Sequence, residues 1–481
     1  TLVEQGIGIL MDNNSITKTA AQIEIGKYSY GGIGIFGKQG TIEILAPSGT
    51  FGEKSNIIIS DGEKNTGIIA KGGDVKFNGD ILIKGGKDNR VAVAESGKKI
   101  TITGNVTAGS NDKKIEDSVI LYAKDNGTVI TVENDKLNLK LSGDSTGIFA
   151  TSQGKVVANR TSLTLSQPDA NGNIPEPTAE VNIYVEGKKD TDGKIKGLGL
   201  YTSSGGNISA KNTYVKVKNG AVGMASVGNG SKVDLTGGII DYEGNGYAVY
   251  SSDDGEIDLT NGEIILRGKA TALELDFAGG TNPIKLQGTR ITVMSNDAII
   301  ANLKNAGVLN IANLESNIAA NLGGVTFKNG TNGSEVFDKY KVAAIDGGTL
   351  NIDTNIDKGD TSTNSPGFYY YRRFLGQRLK INVLDNITVN ASLNSAYASE
   401  YFKGQVVGLE INSSSSATGV SDTQINLGHG AKIVASRLDS GSGAIGAYIN
   451  YGEITLDTGS SIEVEKTLKN ENGVGIYAVN G

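Results

Sequence analysis

A short motif that recurs along this 481-residue chain is the feature that most restricts its fold. Each copy has a small residue, three or four alternating apolar or small residues, and a polar turn that ends in glycine, as in "NGVGIYAVNG" and "STGIFATSQG". Neighbouring copies often lie 25 or 26 residues apart, a spacing typical of stacked supersecondary units. Alignment of the copies on their leading small residue gives Gly6, Gly32, Gly67, Val91, Ser118, Gly147, Gly197, Gly220, Gly246, Thr271, Asp297, Gly473 and, more loosely, Ala444.

One repeat can be followed in the segment "GYAVYSSDDGEIDLTNGEIILRGK", which begins at Gly246. It predicts one strand at 247–250 and another at 263–266, separated by polar turns. Between them, Ile257 and Leu259 alternate with charged residues, which predicts a strand with one face inward. Three short strands per repeat predict an all-β fold, a right-handed parallel β-helix in which equivalent residues stack along the axis.

Pairs of apolar residues separated by one residue recur along the chain and are expected to point inward. A hairpin meander or a β-sandwich would alternate in the same way, but without the longer near-repeat. A leucine-rich repeat has a similar period, but its L-x-x-L-x-L-x-x-N frame is missing. We therefore predict one elongated β-helix over residues 1–481. The apolar pairs are Ile42/Ile44, Val75/Phe77, Ile81/Ile83, Ile100/Ile102, Val233/Leu235, Ile454/Leu456 and Ile462/Val464.

Composition agrees with an all-β chain and disfavours several classes of protein. Glycine supplies 68 of the 481 residues, twice its usual share of about 7%, but without the G-x-y period of collagen. The formal net charge of −7 is spread along the chain, which disfavours a nucleic-acid-binding groove. No apolar run is long enough to predict a membrane-spanning helix. The absence of cysteine is consistent with an exported protein that does not rely on disulfides.

Both ends of the chain fall inside the repeat. The sequence begins "TLVEQGIGIL", without an initiator Met or a basic signal-peptide region, and it ends "GIYAVNG". A terminal rung, meaning one circuit of the chain around the axis, exposes unpaired backbone groups and needs a cap. We therefore expect this chain to be a segment of a longer β-helix.

The copies "GVGIYAVNG", "TGIFATSQGKV" and "GYAVYSSDDGEIDLTNGEI" resemble the passenger domain of type V (classical) autotransporter adhesins, in particular the large outer-membrane adhesins of fusobacteria. The resemblance covers most of the chain and concerns its architecture. It implies an exported, cell-surface passenger, not itself membrane-inserted, anchored to the bacterial outer membrane by a C-terminal β-barrel outside this sequence. It also implies partners among host-cell surface proteins, glycans and partner bacteria. The motif positions that carry the resemblance are interpreted as core and turn positions.

Two stretches depart from the repeat and are predicted to be insertions, at about 166–195 and about 346–405. The first contains "SQPDANGNIPEPTAE" and is interpreted as an exposed loop. The second contains "SPGFYYYRRFLGQRLK", in which aromatic and basic residues are concentrated. Tyr and Arg are enriched at binding hot spots, so we predict a ligand- or partner-binding site here, the alternative being an insertion that packs its own small core or an aromatic ladder inside the coil. The candidate site residues are Phe368, Tyr369, Tyr370, Tyr371, Arg372, Arg373, Phe374 and Arg378.

No catalytic or metal-binding pattern is complete in the sequence. Asp253-Asp254 and the Gly-His-Gly around His429 are similar to polygalacturonase elements, but 175 residues separate them, too far for an acid and a base to share one bond. His429 is the only histidine, and no G-x-S-x-G nucleophile elbow lies beside it in the sequence. The spaced aspartates of "KKDTDGK" and "NIDTNIDKGD" lack an EF-hand frame.

These observations predict that the chain is not an enzyme and uses neither a cofactor nor a metal. The favoured hypothesis is a surface adhesin segment that attaches through loop contacts to host-cell receptors or glycans, or to partner bacteria, and not to nucleic acid. A purely structural stalk that presents a binding tip elsewhere is the alternative. A polysaccharide lyase or hydrolase is less favoured.

Overall fold

Strands account for all the regular structure of the described residues. The computed structural model describes residues 6–12, 16–18, 22–45, 55–165, 177–188, 196–268, 270–276, 284–286, 288–293, 299–304, 308–310, 341–344, 349–352, 356–357, 374–375, 380–393, 406–412, 424–437, 443–450, 452–465 and 473–479. Within these ranges there is no helix that could cross a membrane. The chain divides into two compact units, one formed by Thr1–Ser166, Glu176–Ile264 and Pro283–Lys285, the other by Gln167–Pro175, Ile265–Asn282 and Leu286–Gly481.

In the first unit, successive strands of the chain are distributed over three parallel sheets. The first sheet contains Ile7–Met11, Ile33–Gly37, Thr66–Ala70, Arg90–Ala94, Val119–Lys124, Thr146–Thr151, Leu198–Ser203, Val222–Val227 and Gly246–Ser252. The second sheet contains Ile16–Lys18, Gly40–Leu45, Gly73–Phe77, Lys99–Ile102, Val129–Val132, Lys155–Val157, Asn207–Ser209, Lys232–Asp234, Glu256–Asp258 and Ile284–Lys285. The third sheet contains Gln22–Ile25, Ser55–Ile59, Gly79–Ile83, Val106–Ala108, Leu137–Ser142, Ile183–Glu186, Tyr214–Lys218 and Ile239–Glu243.

Each strand of these sheets pairs in parallel with strands of the neighbouring rungs, for example Ile68 with Ala92 and Ala92 with Leu121. Three additional short strands, Gly62–Glu63, Gly86–Lys87 and Ile115–Glu116, pair with one another where the chain leaves the third sheet. A coil of parallel strands that returns to the same sheet once per rung is a parallel β-helix. The fold predicted from the repeat is therefore confirmed.

The second unit is built on the same plan. One sheet contains Ala270–Asp276, Ile299–Lys304, Lys341–Ala344, Phe374–Leu375, Val406–Asn412, Ala444–Asn450 and Val474–Val479. Another contains Val308–Asn310, Thr349–Ile352, Lys380–Val383, Gln424–Leu427 and Glu453–Leu456. The remaining strands are Arg290–Val293 and a stack of Ile356–Asp357, Thr388–Leu393, Lys432–Arg437 and Ser461–Glu465.

The repeat that begins at Gly246 folds as its sequence predicts. Its strands are Gly246–Ser252, Glu256–Asp258 and Glu263–Leu266. Ile257 and Leu259 are fully buried, whereas the charged residues between and before them are only partly buried. Alternation of apolar and polar residues therefore places one face of the second strand in the core.

Most of the predicted inward pairs lie in the core, and the exceptions are near the end of the described chain. The buried pairs are Val75/Phe77, Ile81/Ile83, Ile100/Ile102 and Val233/Leu235. Leu456, by contrast, is 43% exposed, and Ile462 and Val464 are only partly buried. Their strands are the last of their sheets in the described chain, so no further described strand covers them. The side chains of Ile42 and Ile44 lie outside the described residues.

Strands also occur inside both of the predicted insertions. Ile183–Glu186 lies within 166–195 and pairs in register with strands of the rungs before and after it. Lys380–Val383 and Thr388–Leu393 lie within 346–405 and are likewise paired in parallel. The prolines of the first segment, from 168 to 177, fall outside the described residues except Pro177. At these described positions the chain therefore continues the β-helix.

The register between rungs corrects the alignment of the motif on its leading small residue. Gly6, Gly32, Gly197 and Gly246 do occupy one equivalent position, just before the registered residues of the first sheet. In three other copies the equivalent residue lies two positions earlier than predicted, and in the copy at Gly220 it lies one position later. In the copies at Gly67 and Gly147 the alignment failed because a second buried small residue lies two positions after the equivalent one. The corrected residues are Asn65 for Gly67, Asn89 for Val91, Ser145 for Gly147 and Ala221 for Gly220.

Four of these equivalent positions carry polar residues and form a buried row along the β-helix. We call this row, Asn65, Asn89, Ser118 and Ser145, the inner polar ladder. All four side chains are fully buried. Each side-chain oxygen accepts a hydrogen bond from the backbone N–H of the equivalent residue one rung earlier, at distances of 2.8, 2.9, 2.8 and 3.1 Å in chain order. Backbone groups that the bend between sheets leaves without a strand partner are thereby satisfied inside the core.

Candidate functional site

In the first sheet of the first unit, an equivalent residue of each strand faces outward. In Thr66–Ala70 and Thr146–Thr151 the first three residues are buried, the fourth is partly exposed and the fifth is buried again. Two consecutive inward residues break the simple alternation of a strand. The fourth residue of each strand therefore faces away from the core.

These fourth residues stack across nine rungs as one apolar row, which we call the apolar outer ladder. Every step of the row is a direct register pair of the first sheet. Leu10 is 55% exposed, Val93 and Ala225 are buried, and the others are partly exposed. The members are Leu10, Phe36, Ile69, Val93, Tyr122, Phe149, Tyr201, Ala225 and Tyr250.

Three consecutive rungs of this ladder carry stacked aromatic rings. The ring centroids of Tyr122 and Phe149 lie 5.2 Å apart with planes tilted by 34°, and those of Phe149 and Tyr201 lie 4.8 Å apart at 16°. Burial in this stack raises the pKa of the Tyr122 hydroxyl above its ordinary value. Because the ring faces cover one another along the axis, the stack presents ring edges to the outside.

A neighbouring row on the same face is also mostly apolar. It runs in register through Val119, Thr146, Leu198, Val222 and Tyr247. Tyr247 reaches the apolar outer ladder, with its ring centroid 6.2 Å from that of Tyr250. The two rows together make a mostly apolar strip on one outward face, in which Thr146, Val222 and Ala225 are buried.

The outward face of the second sheet has a different character. Its corresponding row holds Glu43, Lys76, Thr101, Thr131, Val157, Ser209, Asp234, Asp258 and Lys285. Charges of opposite sign are paired beside it, since Glu256 contacts both Lys232 at 2.5 Å and Lys285 at 3.1 Å. A solvated sheet face normally looks like this. Contiguous apolar surface of the kind found on the first sheet marks interaction sites.

Most of the binding site predicted from the sequence lies outside the described residues. This applies to Phe368, Tyr369, Tyr370, Tyr371, Arg372, Arg373 and Arg378. Phe374 is described in backbone only, in a strand that pairs with Val342 on one side and Ile411 on the other. The prediction of a binding segment at 368–378 stays a prediction.

The residues that suggested polygalacturonase chemistry form turns. Asp253 and Asp254 both have positive φ, 49° and 64°, in the turn between Gly246–Ser252 and Glu256–Asp258 of the first unit. His429 is exposed in a turn of the second unit, where its backbone N–H donates to Asp385 at 2.9 Å. Among the described residues, no group of three or more His, Cys, Asp or Glu is arranged to hold a metal ion.

Sequence reasoning missed the apolar outer ladder because it assigned the whole motif to core and turn. The fifth motif position, which is Phe149 in "STGIFATSQG" and Tyr250 in "GYAVYSS", in fact faces outward. The signal was present, since an aromatic residue recurs at this position in seven copies, including the 46% exposed Tyr477. The copies are Phe36, Tyr122, Phe149, Tyr201, Tyr250, Tyr448 and Tyr477.

Fold and surface together define a parallel β-helix with an apolar strip on one outward face. Comparison of the chain with protein-family models, with curated proteins and with solved structures gives no match.

Proposed function

We propose that this chain is a non-enzymatic attachment segment of the bacterial cell surface, and that the apolar outer ladder is its contact surface. The observation that supports the proposal is the row of partly exposed, stacked rings at Tyr122, Phe149 and Tyr201. Aromatic residues on a rigid support give a large contact area at low entropic cost, and they are enriched at binding hot spots.

The partner class that fits this surface best is a protein on a host cell or on a partner bacterium. A pyranose ring packs on the face of an aromatic ring, but here the faces of Phe149 are turned towards its neighbours in the stack. A protein partner needs only a complementary apolar strip. Export to the cell surface and anchoring in the outer membrane belong to the proposal through the resemblance of the repeats to autotransporter adhesins.

The test is binding of the purified chain to a panel of partner bacteria and host cells. The variant Tyr122→Ser/Phe149→Ser/Tyr201→Ser removes the stack, and we expect it to lose at least tenfold in apparent affinity. Tyr184→Ser is the matched control, because Tyr184 is a partly buried tyrosine on the outward face of the third sheet. Circular dichroism checks that both variants fold.

Either of two results contradicts the proposal. If the parent chain binds no cell in the panel, the chain is better explained as a stalk. If the parent and the triple variant bind equally well, attachment occurs elsewhere, and the segment 368–378 is the next candidate.

A further inference from the structure

A second row of stacked residues forms the floor of a cleft in the first unit. The row is Tyr30, Glu63, Lys87, Glu116 and Ser142, which follow one another in register over five rungs. It lies at the corner of the β-helix where the chain leaves the third sheet, and it contains no member of the apolar outer ladder. Residues on successive rungs are about 4.8 Å apart, so the charges of the floor alternate in sign at that spacing.

The walls of the cleft come from loops of three different rungs. Besides the floor, its lining includes Tyr28, Ser29, Asp61 and the segment 112–114. Lys113 forms an ion pair with Asp61, which joins two of these loops. The cleft has a volume of about 890 Å³, which is within the range of about 300–1,000 Å³ that is usual for ligand sites.

The basic side chains of the cleft have carboxylate partners. Lys87 contacts Asp117 at 3.0 Å, and Lys114 contacts Glu186 at 2.8 Å. With Lys113 paired as well, the cleft offers hydrogen-bond donors and acceptors without a large excess of either charge. A strongly anionic or cationic ligand would therefore meet like charges on the floor.

Two oxygen atoms of the cleft are shielded from solvent and have no hydrogen-bond partner. They are the hydroxyl oxygen of Ser29 and Oδ1 of Asp61. Buried polar groups are normally satisfied by protein groups or by ordered water, and no described protein group bonds to these two oxygens. Ser29 can donate or accept, whereas Asp61 Oδ1 can only accept.

Tyr28 lines the cleft, and the ammonium group of Lys27 lies over one face of its ring, 5.1 Å from the centroid. The side chain of Tyr28 is 71% exposed, and its backbone has a φ of 70°, a conformation that is rare for an aromatic residue. The Tyr28 N–H donates to the carbonyl oxygen of Asp61 at 2.8 Å, which holds the backbone of Tyr28 beside the cleft. Neighbouring Tyr30 receives a hydrogen bond from Lys64.

We propose that this cleft binds a neutral oligosaccharide. Sugar hydroxyls both donate and accept, so they can bond to the alternating charges of the floor. The apolar face of a pyranose ring packs on the exposed ring of Tyr28. The chain of sugars lies along the floor, parallel to the axis of the β-helix. This site is separate from the apolar outer ladder, and either could bind without the other.

The experiment measures binding of the full chain to an array of neutral linear gluco-, galacto-, manno- and N-acetylglucosamine oligosaccharides, with sialylated and uronic-acid oligosaccharides on the same array. Tyr28→Asn removes the ring but keeps a residue that tolerates positive φ. We expect Tyr28→Asn to bind neutral oligosaccharides at least tenfold more weakly than the parent chain. Glu63→Gln, which removes a floor charge without changing shape, should weaken it about fivefold.

The controls separate this site from the rest of the molecule. Glu133→Gln changes an exposed glutamate outside the cleft and should leave binding unchanged. The Tyr122→Ser/Phe149→Ser/Tyr201→Ser variant should also keep oligosaccharide binding, whatever its effect on attachment to cells. The proposal is overturned if the parent binds none of the neutral oligosaccharides, if it binds only the acidic ones, or if folded Tyr28→Asn and Glu63→Gln both bind like the parent.

Discussion

The side-chain oxygen of Asn89 accepts a hydrogen bond of 2.9 Å from the backbone N–H of Asn65, one rung earlier in the β-helix. The same side chain donates through Nδ2 to the carbonyl oxygens of Gly62 at 2.9 Å and Gly85 at 3.0 Å. One fully buried amide therefore joins the corner segments of two neighbouring rungs. Its own backbone N–H donates to Ser118, which continues the inner polar ladder.

Replacing Asn89 should be among the most destabilising single changes in the first unit. Asn89→Ala leaves one backbone donor and two carbonyl oxygens without partners in the core, which is expected to cost about 2–4 kcal/mol. Urea denaturation of the purified chain measures the loss. Asn126→Ala, at an exposed position, is the control and should change stability by less than about 0.5 kcal/mol. Equal effects of the two changes would show that the inner polar ladder adds nothing.

The backbone conformation and the close neighbours of Gly246 leave no room for a side chain at this position. Its φ is 149°, and an added Cβ would lie 1.9 Å from the hydroxyl oxygen of buried Tyr242. Gly246→Ala should therefore destabilise the chain by about 2–4 kcal/mol. Combining it with Tyr242→Phe removes the clashing oxygen, so the double variant should lose at least about 1 kcal/mol less than the sum of the two single variants. Simple additivity in denaturation experiments would contradict the predicted clash.

The contact between Phe149 and Tyr201 can be measured apart from any binding. Leucine at either position keeps apolar surface but removes the ring stack. A double-mutant cycle of Phe149→Leu and Tyr201→Leu should give a coupling free energy of about 0.5–1.5 kcal/mol. The same cycle on Phe149 and the distant Phe77 should give none, since Phe77 lies in the core of another rung. Coupling within error of zero for the first pair would mean that the rings do not stack in solution.

Glu186 should contribute stability that depends on pH. A hydrogen bond from Lys114, helped by Tyr184 and Asn219, holds the pKa of Glu186 below its ordinary value. The contribution is therefore complete above the unfolded glutamate pKa of about 4.3 and is lost as pH falls through the lower folded pKa. Because the pair is partly solvated, we expect less than about 1 kcal/mol.

The measurement is the urea midpoint between pH 6 and pH 3 for the parent and for Glu186→Gln. The variant should show a shallower decline in stability on acidification, since it has no proton to bind at this position. Glu133→Gln controls for the loss of one negative charge. A parallel decline in the parent and in Glu186→Gln would contradict the predicted linkage.

The fold could be predicted because the same sequence motif recurs along the chain. In the rung that begins at Gly246, the alternation of Ile257 and Leu259 with charged residues sufficed to identify the second strand, and the spacing of the motif identified the coil. The exact register could not be predicted where Gly67 and Asn65 compete for one position, because both are small enough for a buried corner. The register of Ile33 with Thr66 and the hydrogen bond from the Gly32 N–H to Asn65 Oδ1 distinguish them.

The outward direction of Phe149 was missed for a different reason. Alternation tells inside from outside only if it is unbroken, and here Gly147 and Ile148 are both buried. If residues of the motif are assigned alternately to the inside and the outside, Phe149 is therefore placed inside, whereas it faces outward. The cleft residues were missed because Tyr30, Glu63 and Lys87 are brought together by register across rungs, and 33 and 24 residues separate them in sequence.

The stacking of rungs also determines how the first unit carries mechanical load. Neighbouring strands belong to successive rungs, so the hydrogen bonds between them lie along the axis of the β-helix. Tension along this axis is shared at every level by three sheets and, from Asn65 to Ser145, by the side-chain bonds of the inner polar ladder. No single sheet can be peeled away by such a pull without straining the other two. A pull along the axis of the first unit is therefore expected to load all three sheets at once.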